Sequence, residues 1–317
     1  MKRRINPAAT NSKKMKKDLL SIADLTKDEI LHLFELSDYL RGLLKRGRPY
    51  HPLRGRTLGM LFRKPSTRTR LSFEVGMYQL GGCAIFLSSQ DLQLERGETI
   101  EDTSKIFSRY VDAIMMRTFD HEEVVKMAES SSIPVINGLT DLLHPCQALS
   151  DYYTLWKRKI DLETMKFVYV GDGNNICNSL LLGAAQLGVN IVVSNPEGYG
   201  PDPKIMKIAK KIGRGKIVVQ EDPLKAVEQA NIVYTDVWTS MGKEPEKKRR
   251  KRIFQPYQIN EKLLRRAKKD ALVMHCLPAH RGEEITSEVI GGSQSIVFEQ
   301  AENRLHLQKA ILVELLS

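Results

Sequence analysis

Cysteine is scarce in this chain: Cys83, Cys146, Cys177 and Cys276 are the four among 317 residues, with no C-x-x-C pair and no regular spacing. A chain of this length can bury a core without disulfide staples, so the pattern points to a reducing compartment. Long apolar runs are missing as well. None approaches the ~18–20 residues that a membrane span needs, which argues against a membrane partner. Met1 to Lys17 contains no apolar segment of the kind a secretory signal carries. It also contains no acidic residue, as organelle transit peptides do. It is short, Lys-rich and hardly amphipathic, however, and the expectation is a cytoplasmic protein. Internal repeats and low-complexity tracts are absent too.

What is present describes an ordinary globular protein, with 42% hydrophobic and 27% charged residues. The length favours two domains. The net charge of +11 is gathered in two places. Lys2, Arg3, Arg4, Lys13, Lys14, Lys16 and Lys17 crowd the first segment, and Lys247 to Arg252 is an unbroken basic run. Such runs can bind nucleic acid. Neither is interleaved with aromatic residues, and Pro245 before the second run and Pro256 after it read as a solvated loop. No nucleic-acid partner is expected.

Strand-like and helix-like segments alternate. Thr57–Phe62 reads as a buried strand stopped by Pro65, with Ser66 as helix cap and Leu71–Leu80 as helix up to Gly81. Strands follow at 84–88, 113–117 and 133–137, with helices at 20–44, 97–110 and 122–130. A helix around 147–159 leads to a second series of strands at 166–170, 190–194, 216–219, 232–235 and 272–275, with a helix at 174–188. This alternation predicts α/β architecture: two doubly wound domains, each a parallel sheet flanked by helices. Ligands of such sheets bind beyond the carboxyl ends of the strands. Each chemically suggestive motif falls at such an end.

Ser66-Thr-Arg-Thr-Arg70 puts three hydroxyls and two guanidiniums at a helix start, where unsatisfied N–H groups and the helix dipole attract phosphate. Arg117 ends another strand. His144 and Gln147, three residues apart around Pro145, can face one ligand, His144 as donor to a carbonyl oxygen. Gly171-Asp-Gly-Asn-Asn175 resembles a dinucleotide turn, but the third glycine of that fingerprint falls on Ile176, which argues against a nicotinamide dehydrogenase. Asp236 to Gly242 runs from a strand end into a polar loop with the look of a mobile lid as far as about Arg252. His275 and Cys276 in an extended segment point to opposite faces, so they are not expected to form a Cys–His nucleophilic pair. A zinc site from His144, Cys146, His275 and Cys276 matches no common ligand spacing, and no metal is expected.

Together these motifs resemble the aspartate/ornithine carbamoyltransferase family. The likeness runs from about Leu19 to the C-terminus: S-T-R-T-R at 66–70, R-G-E-T-I at 96–100, H-P-C-Q at 144–147, G-D-G-N-N at 171–175, D-V-W-T-S-M-G at 236–242, H-C-L-P-A at 275–279 and E-N-R-L-H at 302–306. Within the family, the S-M-G loop and Cys276 resemble the ornithine-specific branch. The aspartate branch shows H-P-L-P at 275–278, and the putrescine and N-acylated-ornithine branches lack S-M-G. The chain departs from the family in the basic extension before Asp18, the basic run at 247–252, and Glu95.

The resemblance implies transfer of a carbamoyl group from carbamoyl phosphate to the side-chain amine of L-ornithine, in arginine biosynthesis, without a cofactor. It implies a carbamoyl-phosphate domain at 1–150 and an ornithine domain at 151–300, with the active site in the cleft between them and a helix at about 301–317 packing back on the first. Carbamoyl phosphate is expected on Ser66, Thr67, Arg68 and Thr69, with Arg117, His144 and Gln147 around its carbamoyl group. Cys276, Leu277 and Arg304 complete that pocket, and Gln93 is lent to a neighbouring subunit of a homotrimer or a multiple of trimers. Asn175, Asp236, Ser240 and Met241 are expected to hold ornithine. The catalytic set is Arg117, His144, Asp236 and Cys276, with Cys276 a polar positioner rather than a covalent nucleophile.

Overall fold

Short apolar runs bounded by polar turns become parallel strands here, because burial on both sheet faces demands continuous apolar sequence rather than alternation. The computed structural model describes residues 17–240, 242 and 244–317; the side chains of Asp91, Glu95 and Glu244 lie outside that set. The expectations placed on Met241, on the basic segment before Lys17 and on the Glu95 side chain therefore fall outside the described residues.

The chain forms two units. One comprises the chain up to Tyr153 together with Asn303–Ser317, and the other is Thr154–Glu302. In the first, β1 (Thr57–Phe62), β2 (Cys83–Ser88), β3 (Ala113–Arg117) and β4 (Val135–Leu139) form a parallel sheet ordered β2-β1-β3-β4. Every residue of β3 is buried, as is β1 after Thr57. Leu61, Ile114, Met116, Val124, Met127 and Val135 make one face of its core. The helices of this unit are α1 (Lys27–Lys45), α2 (Thr67–Gln79), α3 (Ile100–Tyr110), α4 (His121–Ser130) and the greater part of α5 (Pro145–Lys157).

The second unit holds β5 (Lys166–Val170), β6 (Asn190–Ser194), β7 (Ile217–Val219), β8 (Ile232–Thr235) and β9 (Leu272–His275), all parallel and ordered β7-β6-β5-β8-β9. Its helices are α6 (Asn175–Leu187), α7 (Pro203–Ile212), the short α8 (Pro223–Ala226), α9 (Lys247–Phe254), α10 (Glu261–Leu264) and α11 (Ser287–Ile290). The last helix, α12 (Val297–Leu316), starts in this unit and joins the first from Asn303 onward. There His32 Nε2 meets Glu314 at 2.8 Å, and Lys309 donates to Gln79 at 2.8 Å.

Helix starts follow local chemistry. Thr26 and Glu29 make a reciprocal capping box on α1, and Ser66, Thr99, Asp120, Asn174 and Asp202 each accept a backbone N–H at the start of their helices. Each cap is worth about 1 kcal/mol. Both sheets have a topological switch point, between β1 and β3 in the first and between β5 and β8 in the second, where consecutive crossovers diverge and leave a crevice. Ser66 and Arg117 lie beyond the first of these, and Gly171 to Asn175 and Asp236 beyond the second.

The basic run corrects an expectation. Residues 247–254 are helical rather than a solvated loop, and Arg250 and Phe254 are buried. Pro245 and Pro256 sit in single 3-10 turns on either side of α9, where a missing N–H costs little, so they bound the helix instead of preventing it.

Candidate active site

In the first unit the site grows from the cap of α2. Ser66 Oγ accepts the N–H of Thr69 at 3.2 Å, and its hydroxyl donates to Thr69 Oγ1 at 3.1 Å. Arg304 of α12 donates from Nη2 to the same oxygen at 2.8 Å. Thr67, exposed, and Arg68, half-buried, occupy the open first turn. Arg117, at the end of β3, is buried and donates from Nε to the Lys64 carbonyl at 3.2 Å. Lys64 is itself buried, ion-paired with Asp141 and 4.2 Å from the Phe119 ring, so it ties together the loops beyond β1, β3 and β4.

His144 stands among these cations. Burial, and then the guanidiniums of Arg304, Arg117 and Arg68, hold its pKa well below the usual histidine value. It is therefore a neutral imidazole at pH 7, with one N–H to donate. Gln147 spends its amide N–H on Asp151 at 2.8 Å, while its Oε1 has no hydrogen-bond partner among the described residues. Three guanidiniums, a neutral donor and a carbonyl acceptor form a set that suits an anion joined to a carbonyl and an NH2 group.

Two expected residues stand apart. Arg70 turns from the α2 start to pair with Glu74 at 2.9 Å and to lie 3.9 Å from the Phe86 ring. Gln93 is exposed on a 3-10 turn, Gln93–Arg96, and its side chain bonds to none of these groups.

In the second unit Asp236 is the hub. Its carboxylate accepts from Asn174 Nδ2 at 2.7 Å, the Val237 N–H at 2.8 Å and the Cys276 thiol at 2.9 Å. Asn174 meanwhile caps α6 with its Oδ1. Asn175 and Ser240 are half-buried next to this hub in sequence. The Gly-rich turn serves the chain itself: a Cβ on Gly173 would lie 2.1 Å from the carbonyl carbon of Gly200.

His275 and Cys276 do not point to opposite faces. The ligand-capable atoms of Asp236, His275 and Cys276 lie within 4.8 Å of one another. Strand β9 stops at His275, and Leu277 has φ 59°, which breaks the alternation of side chains. Each of the three is already hydrogen-bonded, Asp236 to Cys276 and His275 to Glu284 at 3.1 Å.

Residues 17–157 match the family described as aspartate/ornithine carbamoyltransferase, carbamoyl-P binding domain, and residues 163–315 match its Asp/Orn binding domain. The chain belongs to the aspartate/ornithine carbamoyltransferase family. Among its members, the ornithine carbamoyltransferase of Syntrophus aciditrophicus is 57% identical over 94% of this chain and 99% of its own. That of Thermococcus kodakarensis is 52% identical over 93% of this chain and 95% of its own. Among solved structures of the family, the ornithine carbamoyltransferase from Pyrococcus furiosus superposes with a TM-score of 0.92 at 50% identity, covering 96% of this chain and 99% of that one.

Two residues of the site escaped the sequence. Asn174 donates to Asp236 as well as capping α6, and its position as helix cap was the available signal. Arg250, within the basic run, donates to the Trp238 carbonyl at 2.5 Å, and its guanidinium lies 4.8 and 5.1 Å from the ring centres of Tyr199 and Phe254, which also pack against each other. Its Nη2 is 2.5 Å from Asp172 Oδ2. The two side chains form a buried ion pair. Nothing local distinguishes Arg250 from Arg249 or Arg252.

Proposed function

We propose that this chain is an ornithine carbamoyltransferase, converting carbamoyl phosphate and L-ornithine to L-citrulline and phosphate. The observation that carries the reading is the capped start of α2, where Ser66 and Arg304 both reach Thr69 Oγ1, with the buried Arg117 and His144 as companions. Carbamoyl phosphate lies with its phosphate on Ser66, Thr67, Arg68 and Thr69, and its carbonyl oxygen toward Arg117 and His144. Its NH2 donates to Gln147 Oε1. Cys276 and Leu277 complete the carbamoyl pocket, and Asn175, Asp236, Ser240 and Met241 hold ornithine's α-amino and carboxylate groups.

The δ-amine of ornithine, like lysine, has a pKa near ~10.4, so about one molecule in a few thousand is neutral at pH 7. Asp236 and Cys276 orient that neutral amine for attack on the carbamoyl carbon. A tetrahedral intermediate forms, the C–O bond to phosphate breaks, and the departing phosphate takes the amine's proton. Thr69, Arg117 and His144 stabilise the developing oxyanion, each such donor being worth ~3–4 kcal/mol. Because His144 is neutral, it donates a hydrogen bond without placing a further charge beside the arginines.

The assembly is a trimer or a multiple of trimers, each subunit lending Gln93 to its neighbour. Support comes from an apolar stripe at i, i+4 and i+7 of α2, where Leu71, Val75 and Tyr78 are 53%, 37% and 81% exposed, beside Ile85 on edge strand β2. Among the described residues no helix is long and apolar enough to cross a membrane. We place the enzyme in the cytoplasm, in arginine biosynthesis; one relative, from Pyrococcus furiosus, is named as anabolic.

A panel of amines offered with carbamoyl phosphate tests the reading. Ornithine should be carbamoylated, and aspartate and putrescine should not. Preference for either of the latter would move the chain to another branch of the family.

A further inference from the structure

We propose that the buried pair His275–Glu284 is a positioning device, which holds Leu277 in a left-handed turn and so sets where Cys276 and Leu277 meet the substrates. This rests on the proposed reaction only for the role of Cys276 and Leu277; the turn itself is a property of the chain.

Leu277 has φ 59°, a conformation that disfavours a side chain of its size. Such a residue persists only where its surroundings over-determine it. Here its backbone N–H donates to Nδ1 of His275, two residues back, at 2.8 Å. That bond fixes the tautomer. Nδ1 must be unprotonated to accept, so the ring proton sits on Nε2, which faces Glu284 Oε1 at 3.1 Å. Both side chains are fully buried.

Both ends of the device are anchored. The His275 N–H donates to Gln300 at 3.0 Å, and Gln300 donates to the Tyr234 hydroxyl at 3.2 Å. The Glu284 carboxylate also accepts the His280 N–H at 2.5 Å, and its backbone carbonyl accepts the Ile259 N–H at 2.8 Å. The pair thus clips the turn after β9 to a segment already fixed elsewhere. Between His275 and Leu277 lies Cys276, whose thiol reaches Asp236. A turn relaxed to right-handed backbone would redirect both the thiol and the Leu277 peptide.

The test is a set of four variants, each followed by citrulline formation and by hydrogen exchange of the peptide spanning 272–282. His275→Asn keeps an acceptor at the Nδ1 position, and His275→Leu removes it. We expect His275→Leu to lose about 100-fold in kcat, a magnitude typical of displaced transition-state contacts. His275→Asn should stay within about tenfold of wild type, and Glu284→Gln, which can still accept from Nε2, closer still. In His275→Leu, exchange at the Leu277 amide should become fast while thermal unfolding stays cooperative.

Adding Leu277→Gly to His275→Leu should recover about fivefold or more in kcat, because glycine adopts the left-handed turn without a brace. A structural role without positioning would make that second change an additional loss. The proposal is overturned if His275→Leu keeps slow exchange at Leu277, or if His275→Asn is as damaged as His275→Leu. It is also overturned if Leu277→Gly fails to rescue. Should the wild type make no citrulline, the exchange arm still decides the brace, so the two readings fail separately.

Discussion

At the scale of single residues, the site turns on charge states set by burial. His144 titrates well below 6.5 when folded and near 6.5 when unfolded. The unfolded chain therefore binds more protons as pH falls below about 6.5, and this residue's contribution to stability, fully present above that pH, is lost progressively toward its folded pKa. Unfolding midpoints of wild type and His144→Gln across pH 5 to 8 should diverge in slope below about 6.5 and run parallel above it. Replacing His144 with Ala should cost about 100–1000-fold in kcat by removing an oxyanion donor. Replacing Cys276 with Ser, which can still donate to Asp236, should slow turnover and weaken ornithine binding without abolishing activity. Steady-state kinetics with each substrate varied would show this. Complete loss, with a carbamoylated wild-type enzyme trapped by mass spectrometry, would make Cys276 a nucleophile instead.

Among the elements, α9 shows most clearly what a sequence conceals. Six consecutive basic residues between prolines carry no apolar signal, so a solvated loop was the natural reading. The helix exists because Arg250 and Phe254, four apart, share its inner face, where Arg250 meets Tyr199, Trp238 and Asp172, residues remote in sequence. Arg250→Ala should destabilise by about 3–5 kcal/mol, the cost typical of breaking a buried charged contact, and Arg250→Lys should lose less. Chemical denaturation measures both. The cap of α2 lies at the other extreme. Ser66 follows a strand and a proline, and its role was legible because capping is local chemistry within four residues. The bond from Asn174 to Asp236 joins residues 62 positions apart, and no local pattern announces it. The lid expected from Ser240 to about Arg252, whose second half is the start of α9, should gain hydrogen-exchange protection with a bisubstrate analogue. Equal protection with and without it would remove the lid.

At the scale of the whole molecule, the alternation of strands and helices was enough to read two parallel doubly wound sheets, because crossover helices leave a periodic mark in sequence. What no periodicity could reveal is which chain ends join which unit. Arg304 reaches Thr69 across 235 positions, and only its family motif pointed there. Assembly belongs to this scale as well. If α2 lies at the interface of the proposed trimer, glutamate at Val75 and Tyr78 should lower the mass seen by light scattering and depress activity, because charge would then sit on its apolar stripe. The central claim is tested most directly by incubating the protein with carbamoyl phosphate and δ-15N-ornithine and following both products by mass spectrometry and phosphate assay. The account predicts citrulline carrying the label in its ureido group, formed in equal amount to phosphate. Phosphate release without labelled citrulline, or no turnover at all, would contradict it.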